Sequence, residues 1–270
     1  MSSPAVVWSY RTWIGNLARR ELTAKHKRSV LGWAWSLINP AATLAIYTVV
    51  FGTFMRIEPP IAGNGTTKSF ALFLFVGLIQ WNFFNAIVNG SMGSLEGAGG
   101  MLSKVYFPPE SPAIANLLSS LVQVGIETAI AIFVFSLMGN VSWTLIFMIP
   151  VVMLVAIFSL GVGLFVSVYN IMYRDINYLV GIAMQILFYA TPIIYPITLI
   201  PEQLHGVPAR WIVENLNPLT AFVGAARDAL YLLQPPTAEE WLVMAAWSTA
   251  ALLLGWWTFN RRAADLIEEL

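Results

Sequence analysis

Long apolar stretches alternate with short charged segments along the whole chain. Four stretches, at residues 29–55, 69–95, 128–173 and 176–201, contain no Asp, Glu, Lys or Arg. A helix needs about 20 mostly apolar residues to cross a hydrocarbon core that is ~30 Å thick. The pattern predicts an all-α integral membrane protein with six transmembrane helices, at about residues 33–54, 70–95, 113–138, 143–169, 177–198 and 241–260.

The uncharged run at residues 128–173 is too long for a single crossing. Its residues 139–142 read GNVS, and small polar residues of this kind favour a turn. We therefore expect two helices in this run, joined by a tight turn.

An amphipathic pattern precedes the first predicted span. Tyr10, Trp13, Ile14 and Leu17 follow the spacing of one helical face, which predicts a helix lying in the membrane interface. Glu21 falls on the apolar side of that helix, where either a protein partner or a hydrated helix end would accommodate it.

The segment at residues 199–240 is the longest predicted piece outside the spans. An apolar helical stripe runs through residues 219–233, although Arg227 and Asp228 interrupt it. About 15 residues are too few to span a bilayer, so short re-entrant or interfacial helices are predicted before the last span. The chain then forms one transmembrane domain, with the interface helix and basic flank at 1–32, spans one to five at 33–198, the outer segment at 199–240, and the last span with its tail at 241–270.

Composition agrees with a membrane protein. Only 10% of the residues are charged and 58% are hydrophobic, whereas soluble domains carry about 25% charged residues. The net charge of zero gives no electrostatic case for nucleic-acid binding. The absence of cysteine excludes disulfides, thiolate metal sites and a cysteine nucleophile. Neither a metal site nor a catalytic site is predicted.

Lys and Arg residues concentrate on one side of the predicted spans. With a cytoplasmic N-terminus, ten of them lie inside and four outside, as expected from the cytoplasmic bias of basic residues. We therefore expect both termini to be cytoplasmic. The ten are Arg11, Arg19, Arg20, Lys25, Lys27, Arg28, Lys104, Arg174, Arg261 and Arg262, and the four are Arg56, Lys68, Arg210 and Arg227.

Glu127 is the only charge-bearing residue well inside a predicted span. Intramembrane ionisable groups are costly and usually face protein or water. Gln123 lies one turn earlier on the same face, where it could hydrogen-bond to Glu127. Proton coupling and packing against another helix or a second copy are both open, and packing is favoured because no span contains a His, Lys or Arg for a relay.

Two cytoplasmic connections mix polar and apolar residues. The first, at residues 97–112, carries Lys104 and Glu110 among apolar side chains, and the second is the short segment at residues 172–177. Either connection could dock a cytoplasmic partner. An interfacial loop and the capping of helix ends are the simpler alternatives.

Four segments together resemble a known family. They read RRELTAKHKRSVLGWAWSLINPAATLAIYTVVFG, LSKVYFPPESPAIANLLSSL, YRDINYLV and YATPIIYPI. In this order and spacing they are similar to the membrane subunits of polysaccharide-exporting ABC transporters, which carry O-antigen, capsule and teichoic-acid chains. The resemblance covers nearly the whole chain.

The resemblance implies a channel-forming permease that exports a lipid-linked polysaccharide across the bacterial cytoplasmic membrane. Two copies of this chain would pair with two copies of an ATPase subunit that binds ATP and Mg. The sequence contains no G-x4-GK-[ST] phosphate loop, which agrees with a separate ATPase and with no enzymatic activity in this chain itself. The coupling residues implied are Glu21, Lys104, Val105, Tyr106, Phe107, Pro108, Arg174, Asp175 and Ile176.

The same resemblance implies an outer gate and a glycan channel. The gate would include Phe222, Arg227 and Asp228, and a lid that only covers the bundle is the alternative. Aromatic walls suit sugars because the CH faces of sugars lie against π-systems, although most of the 36 aromatic residues are expected in interface belts and helix packing. The candidate channel residues are Tyr47, Phe51, Phe54, Trp81, Phe84 and Phe188.

Three rival functions fit the sequence less well. A secondary transporter would show broken helices and matching intramembrane charges in two halves, and only Glu127 is present. An intramembrane enzyme would need several acidic, His or Arg groups near one face, and His26 and His205 both lie outside the spans. An ABC exporter of drugs or small lipids is the main alternative, because the channel decides the substrate.

Overall fold

The structure, a computed structural model, describes residues 4–26, 34–102, 107–173, 175–204 and 206–269. These residues form helices and connecting turns, and no strand occurs among them. The predicted all-helical class is therefore confirmed. The helices are α1 (Pro4–Ser9), α2 (Arg11–His26), α3 (Trp35–Tyr47), α4 (Phe70–Leu102), α5 (Ser111–Leu137), α6 (Met148–Met172), α7 (Ile176–Ala190), α8 (Ala209–Leu216), α9 (Pro218–Arg227) and α10 (Ala238–Glu269).

Four helical segments among the described residues are long and apolar enough to cross a membrane. They are Phe70–Ala98, Ser111–Leu137, Trp143–Met172 and Ala238–Arg262. Two further apolar helices are shorter, at Ile38–Phe54 and Ile176–Ala190. Four spans of the predicted six thus meet the length requirement, and the count of six stays a prediction.

The long uncharged run breaks where the sequence predicted. α5 ends at Leu137, and Gly139 then adopts a positive φ of 69°, which a residue without a Cβ reaches at little cost. A 3₁₀ turn at Trp143–Phe147 leads into α6. The predicted pair of helices joined by a tight turn is therefore confirmed.

Helix α4 lies at the centre of the bundle. The chain itself buries 72% of its most apolar window, against 28–39% for the other three long helices. α5, α6 and the outer helix α9 pack around it, and α10 packs along α6. The large exposed fraction of the other helices is consistent with surfaces that face lipid or a second chain.

The contact between α6 and α10 depends on small residues. A Cβ at Gly161 would overlap the backbone of Ala251, and a Cβ at Gly255 would overlap the backbone of Gly161. In a membrane, where burial of apolar surface does not drive helix association, such close backbone approach provides the packing energy. These two helices therefore form the tightest seam in the bundle.

The predicted amphipathic N-terminal helix is present as α2. Ile14, Leu17 and Ala18 are buried and cluster with Ala115 of α5, so the apolar face packs against the start of that helix. The hydroxyl of Ser119 donates to Oε2 of Glu21 at 3.3 Å, which gives this carboxylate a partner within the chain. Its predicted location in the plane of the membrane interface stays a prediction.

Candidate functional site

A groove of about 450 Å³ lies between α3, α4 and α7. Its aromatic side is continuous, because the Phe188 ring lies 5.9 Å from the Tyr47 ring and 5.2 Å from the Trp81 ring, between centroids. The Tyr189 ring lies 5.2 Å from Phe188 in turn. Three of the six predicted channel aromatics, Tyr47, Trp81 and Phe188, are therefore brought together by three different helices.

The groove is also lined by amide side chains. Asn82, Asn85 and Asn89 occupy positions i, i+3 and i+7 of α4, and Gln185 contributes from α7. Nδ2 of Asn89 donates to Oδ1 of Asn85 at 2.5 Å, and this hydrogen bond fixes the relative orientation of the two amides. Sequence reasoning missed this set, although three asparagines at helical spacing in an otherwise apolar span are a signal. We call this cleft the aromatic–amide groove.

The remaining three channel candidates lie elsewhere. Phe51 meets Tyr47 edge-on with 5.7 Å between ring centroids, next to the groove. Phe54 is 75% exposed at the end of a π-helical turn, Thr48–Phe54, whose wider spacing rotates it away from Tyr47. Phe84 is buried in the core, where it stacks on Phe158 at 5.6 Å. Neither Phe54 nor Phe84 lines the groove.

A second crevice, of about 400 Å³, lies between α3, α4 and α5. Glu127 is buried in its wall, and Nε2 of Gln123 donates to Oε1 of Glu127 at 2.7 Å, as the sequence predicted. Thr43 and Asn82 line both this crevice and the aromatic–amide groove. The crevice that holds Glu127 and the groove are therefore neighbours, with these two side chains between them at the contact of α3 and α4.

The outer helix α9 is held by Arg227. This side chain is buried, and its three nitrogens donate to the carbonyl oxygens of Phe73, Pro192 and Ile193. Burial lowers the pKa of Arg227 to about 9, so the guanidinium stays charged at neutral pH. Arg227 therefore ties α9 to the start of α4 and to the turn that follows α7.

The π-helical turn after α9, Asp228–Leu232, is held by Asn140 and Thr144. Nδ2 of Asn140 donates to the carbonyls of Leu230 and Tyr231 at 3.0 and 3.1 Å, and Oγ1 of Thr144 donates to the carbonyl of Ala229 at 2.9 Å. A π-turn leaves such carbonyls without helical partners, and the two side chains satisfy them.

The three predicted gate residues all lie in this anchored region. Phe222 is fully buried against Phe158, with 5.4 Å between ring centroids. Burial raises the pKa of Asp228 to about 6; the hydrogen bond from Gln234 opposes that shift, and the nearby Glu240 carboxylate adds to it. In this conformation these side chains fix α9 to the bundle. The neighbouring α8 contains no buried residue.

The family of the chain follows from a match along most of its length. A family model described as ABC-2 type transporter matches residues 14–231, which include the groove, the crevice and the outer helices. The chain belongs to the ABC-2 type transporter family. This is a family of transporter membrane subunits, and the multi-pass helical structure agrees with it.

Three characterised permease or transport proteins are similar to this chain. Over 98% of this chain and 97% of the relative, 27% of residues are identical to the O-antigen export system permease protein RfbA of Myxococcus xanthus. The protein of the same name from Klebsiella pneumoniae is 27% identical over 78% of this chain and 77% of its own length. The polysialic acid transport protein KpsM of Escherichia coli is 28% identical over 78% of both chains.

The predicted coupling residues of this ABC-2 chain fall partly outside the described residues. Lys104, Val105, Tyr106 and Arg174 lie outside them. Phe107 and Pro108 are buried, and the Phe107 ring lies 4.1 Å from the Trp13 ring of α2, between centroids. Asp175 is exposed at the start of α7, where it makes no capping hydrogen bond, and Ile176 is the first residue of that helix. The structure thus joins α2 to the segment between α4 and α5 through two rings.

Proposed function

We propose that this chain is the channel-forming permease subunit of an ATP-driven exporter that moves a lipid-linked cell-envelope polysaccharide across the bacterial cytoplasmic membrane. The aromatic–amide groove is the observation that carries the proposal. Sugar CH faces lie against aromatic rings, and amides both donate and accept, so hydroxyls of many orientations find a partner. The relatives named for O-antigen export and polysialic acid transport support the same class of cargo.

The proposed exporter has six spans and cytoplasmic termini, and α3 and α7 beside the groove supply the two shorter spans. α7 has 15 residues and rises about 22 Å, which is less than a ~30 Å core. In the proposal, the turns that follow Ala190 complete this span, so α7 is a broken helix beside the groove. α3 with its π-turn completes the first span, and α2 lies in the inner interface.

A second copy of the chain completes the channel in this proposal. α7 exposes a broad apolar face that no other part of the described chain covers. Tyr178, Leu179, Ile182 and Ile186 are 57–76% exposed on it. This face borders the aromatic–amide groove, so a second permease seated there would turn two open grooves into one enclosed path.

Energy comes from two copies of a separate ATPase subunit, which bind ATP and Mg. The Trp13–Phe107 contact supports a coupling surface built from α2 and the first cytoplasmic connection. Glu21, Pro108, Asp175 and Ile176, together with Lys104–Tyr106 and Arg174, complete that proposed surface. We propose α8 as the moving part of the outer gate, since α9 is anchored through Phe222, Arg227 and Asp228.

Depletion of the protein in its host, followed by analysis of envelope lipids, tests the function. We expect lipid-linked polymer to accumulate on the cytoplasmic side and surface glycan to fall. Unchanged surface glycan with altered drug sensitivity would instead indicate a drug or small-lipid exporter. Export by the permease without an ATPase, driven by an ion gradient, would overturn the proposal.

A further inference from the structure

A cavity of about 710 Å³ lies on the side of the bundle opposite the N-terminus, apart from the aromatic–amide groove. Its walls come from α8, α9 with its π-turn, the start of α10, and the loops before α4 and after α7. With a cytoplasmic N-terminus, this outer cavity opens on the extracytoplasmic face. The helices assigned to the gate therefore form one of its walls.

Among the charged residues that line the outer cavity, carboxylates outnumber basic groups. Five acidic side chains contribute to it, whereas Arg227 is its one basic lining residue among the described part of the chain. Arg227 directs its nitrogens at three backbone carbonyls. The five are Glu58, Glu214, Asp228, Glu239 and Glu240.

Several of these acceptors are fixed in place before any ligand arrives. Nε2 of Gln234 donates to Oδ1 of the buried Asp228 at 2.8 Å. The backbone N–H of Thr237 donates to Oε2 of Glu240 at 2.8 Å in a capping box at the start of α10. Preorganised acceptors reduce the entropy lost when a ligand binds.

A hydroxyl without a partner lies in the same wall. Thr220 of α9 is more than nine-tenths buried and lines the outer cavity, and its Oγ1 has no hydrogen-bond partner among the residues that the structure describes. A buried polar group of this kind gains from a ligand that can donate or accept. Proline rings from both loops and Val243 supply apolar surface between the polar groups.

We propose that the outer cavity is an exit subsite that accepts uncharged, hydroxyl-rich sugar residues and repels polyanionic glycan segments. The inference rests on the proposed function and specifies its cargo. Sugar hydroxyls donate to carboxylates in charge-assisted hydrogen bonds, and the prolines and Val243 meet the apolar faces. A glycan with a carboxylate on each sugar would bring like charges against Glu214 and Glu239. Among the described residues, no three acidic or His side chains gather as metal ligands, so hydroxyl recognition is the better use of the carboxylates.

Direct binding to the purified full-length chain in detergent tests the subsite. The probes are a neutral glucose trisaccharide and an α2,8-linked sialic acid trimer. Saturation-transfer NMR measures the binding of each. We expect the neutral probe to bind at least about tenfold more tightly at low salt, and the difference to shrink at high salt because screening weakens the repulsion. Equal affinity for both probes at low salt would overturn the subsite, and so would tighter binding of the sialic acid trimer.

Substitution of Glu214 and Glu239, two of the exposed carboxylates, assigns the effect to the cavity. The double variant Glu214→Gln, Glu239→Gln should weaken the neutral probe about threefold and make the sialic acid trimer detectable. Glu202→Gln is the matched control, since Glu202 is exposed and pairs with Arg210 outside the cavity. Unchanged binding of both probes to the double variant would contradict the proposal.

A cationic probe, a glucosamine trisaccharide, separates hydroxyl recognition from simple charge attraction. Binding of this probe far more tightly than the neutral one would overturn the assignment to uncharged sugars. The depletion experiment tests the proposed function independently. Accumulated lipid-linked glycan with equal binding of the neutral and sialic acid probes would reject only the exit subsite, whereas unchanged glycan would reject the export function itself.

Discussion

The guanidinium carbon of Arg227 lies 3.6 Å from the centroid of the Phe73 ring, and Nε of the same arginine donates to the Phe73 carbonyl at 3.3 Å. One residue of α4 thus satisfies this buried cation with both its ring and its backbone. A cation over an aromatic face is stabilised by the ring quadrupole, most strongly when water is excluded. The buried guanidinium of Arg227 therefore attaches the outer helix α9 to the central helix α4.

Replacement of Arg227 by Lys should destabilise the protein by about 2–3 kcal/mol. The ammonium keeps the charge but cannot reach three carbonyls in a planar fan. Thermal unfolding in detergent, followed by loss of the monodisperse chromatographic peak, measures the change. Arg210→Lys is the control. Arg210 also donates to the carbonyls of Thr198 and Ile200, but it is partly exposed, so water can replace these bonds and the cost should be under about 1 kcal/mol. Equal effects of the two substitutions would contradict the anchoring role.

Replacement of Asn140 by Ala should cost about 2–3 kcal/mol, because it removes the donor to the buried Leu230 carbonyl and the acceptor of the Asn64 N–H. The Tyr231 carbonyl keeps its bond from the Gly63 N–H. The same thermal assay applies. Ser136→Ala is the control, since Ser136 is exposed and donates only to Ile132 within its own helix. Should Asn140→Ala melt like the wild type, the π-turn would not depend on this side chain.

Substitution of the amide face should reduce transport without affecting folding. Asn85→Leu removes one donor and one acceptor from the groove, and we expect surface glycan per permease to fall about two- to tenfold. Asn85→Gln keeps the amide and should retain most export, which distinguishes lost hydrogen bonding from a change of shape. Wild-type export by Asn85→Leu would remove Asn85 from the proposed wall.

A side chain at the α6–α10 seam should separate the two helices. Gly255→Leu places bulk against the backbone of Gly161, and we expect poor insertion or a loss of at least about 3 kcal/mol. Gly125→Leu is the control, because a Cβ at Gly125 meets nothing within 4 Å. Membrane yield and thermal stability of both variants give the comparison, and similar values would argue against a tight seam.

The stability contributed by Asp228 should depend on pH. Its folded pKa of about 6 exceeds the ordinary 3.8, so the folded state binds more protons, and this contribution is lost as pH rises from about 4 to about 6. The free energy of unfolding of Asp228→Asn, relative to that of the wild type, should therefore be about 1–3 kcal/mol higher at pH about 7.5 than at pH about 4. Glu240 is the charged neighbour that raises the pKa of this group further. The non-ionising variant Leu232→Val should show a constant difference at both pH values, and a constant difference for Asp228→Asn would refute the assignment.

Local patterns in the sequence predicted much of the bundle. The break at Gly139 follows from turn chemistry, and the bond between Gln123 and Glu127 follows from one turn of helix. The N-terminal helix follows from four apolar residues at helical spacing. Each of these features depends on residues that are close in the chain, so composition and periodicity suffice to find them.

Contacts between distant segments were not predictable in the same way. Arg227 looks like an interruption of an apolar stripe, yet its partner Phe73 is 154 residues away. The asparagines of α4 line a groove only because α3 and α7 pack beside α4 and bring Tyr47 and Phe188 to the same cleft. The π-helical turn that rotates Phe54 away from Tyr47 also cannot be recognised from the spacing of apolar residues in the sequence. Half of the proposed channel aromatics therefore line the groove and half do not.

The spacing of the asparagines on α4 bears on how fast a polymer can travel. Asn82, Asn85 and Asn89 are separated by about 4.5 and 6 Å along the helix axis. A sugar that leaves one amide meets the next after a very short displacement, so it never has to shed all its partners at once. The binding free energy of a sugar therefore varies little along such a wall, and the barriers between successive amides are low. In the proposed exporter, friction along the path is then small, and the separate ATPase subunits set the pace of transit.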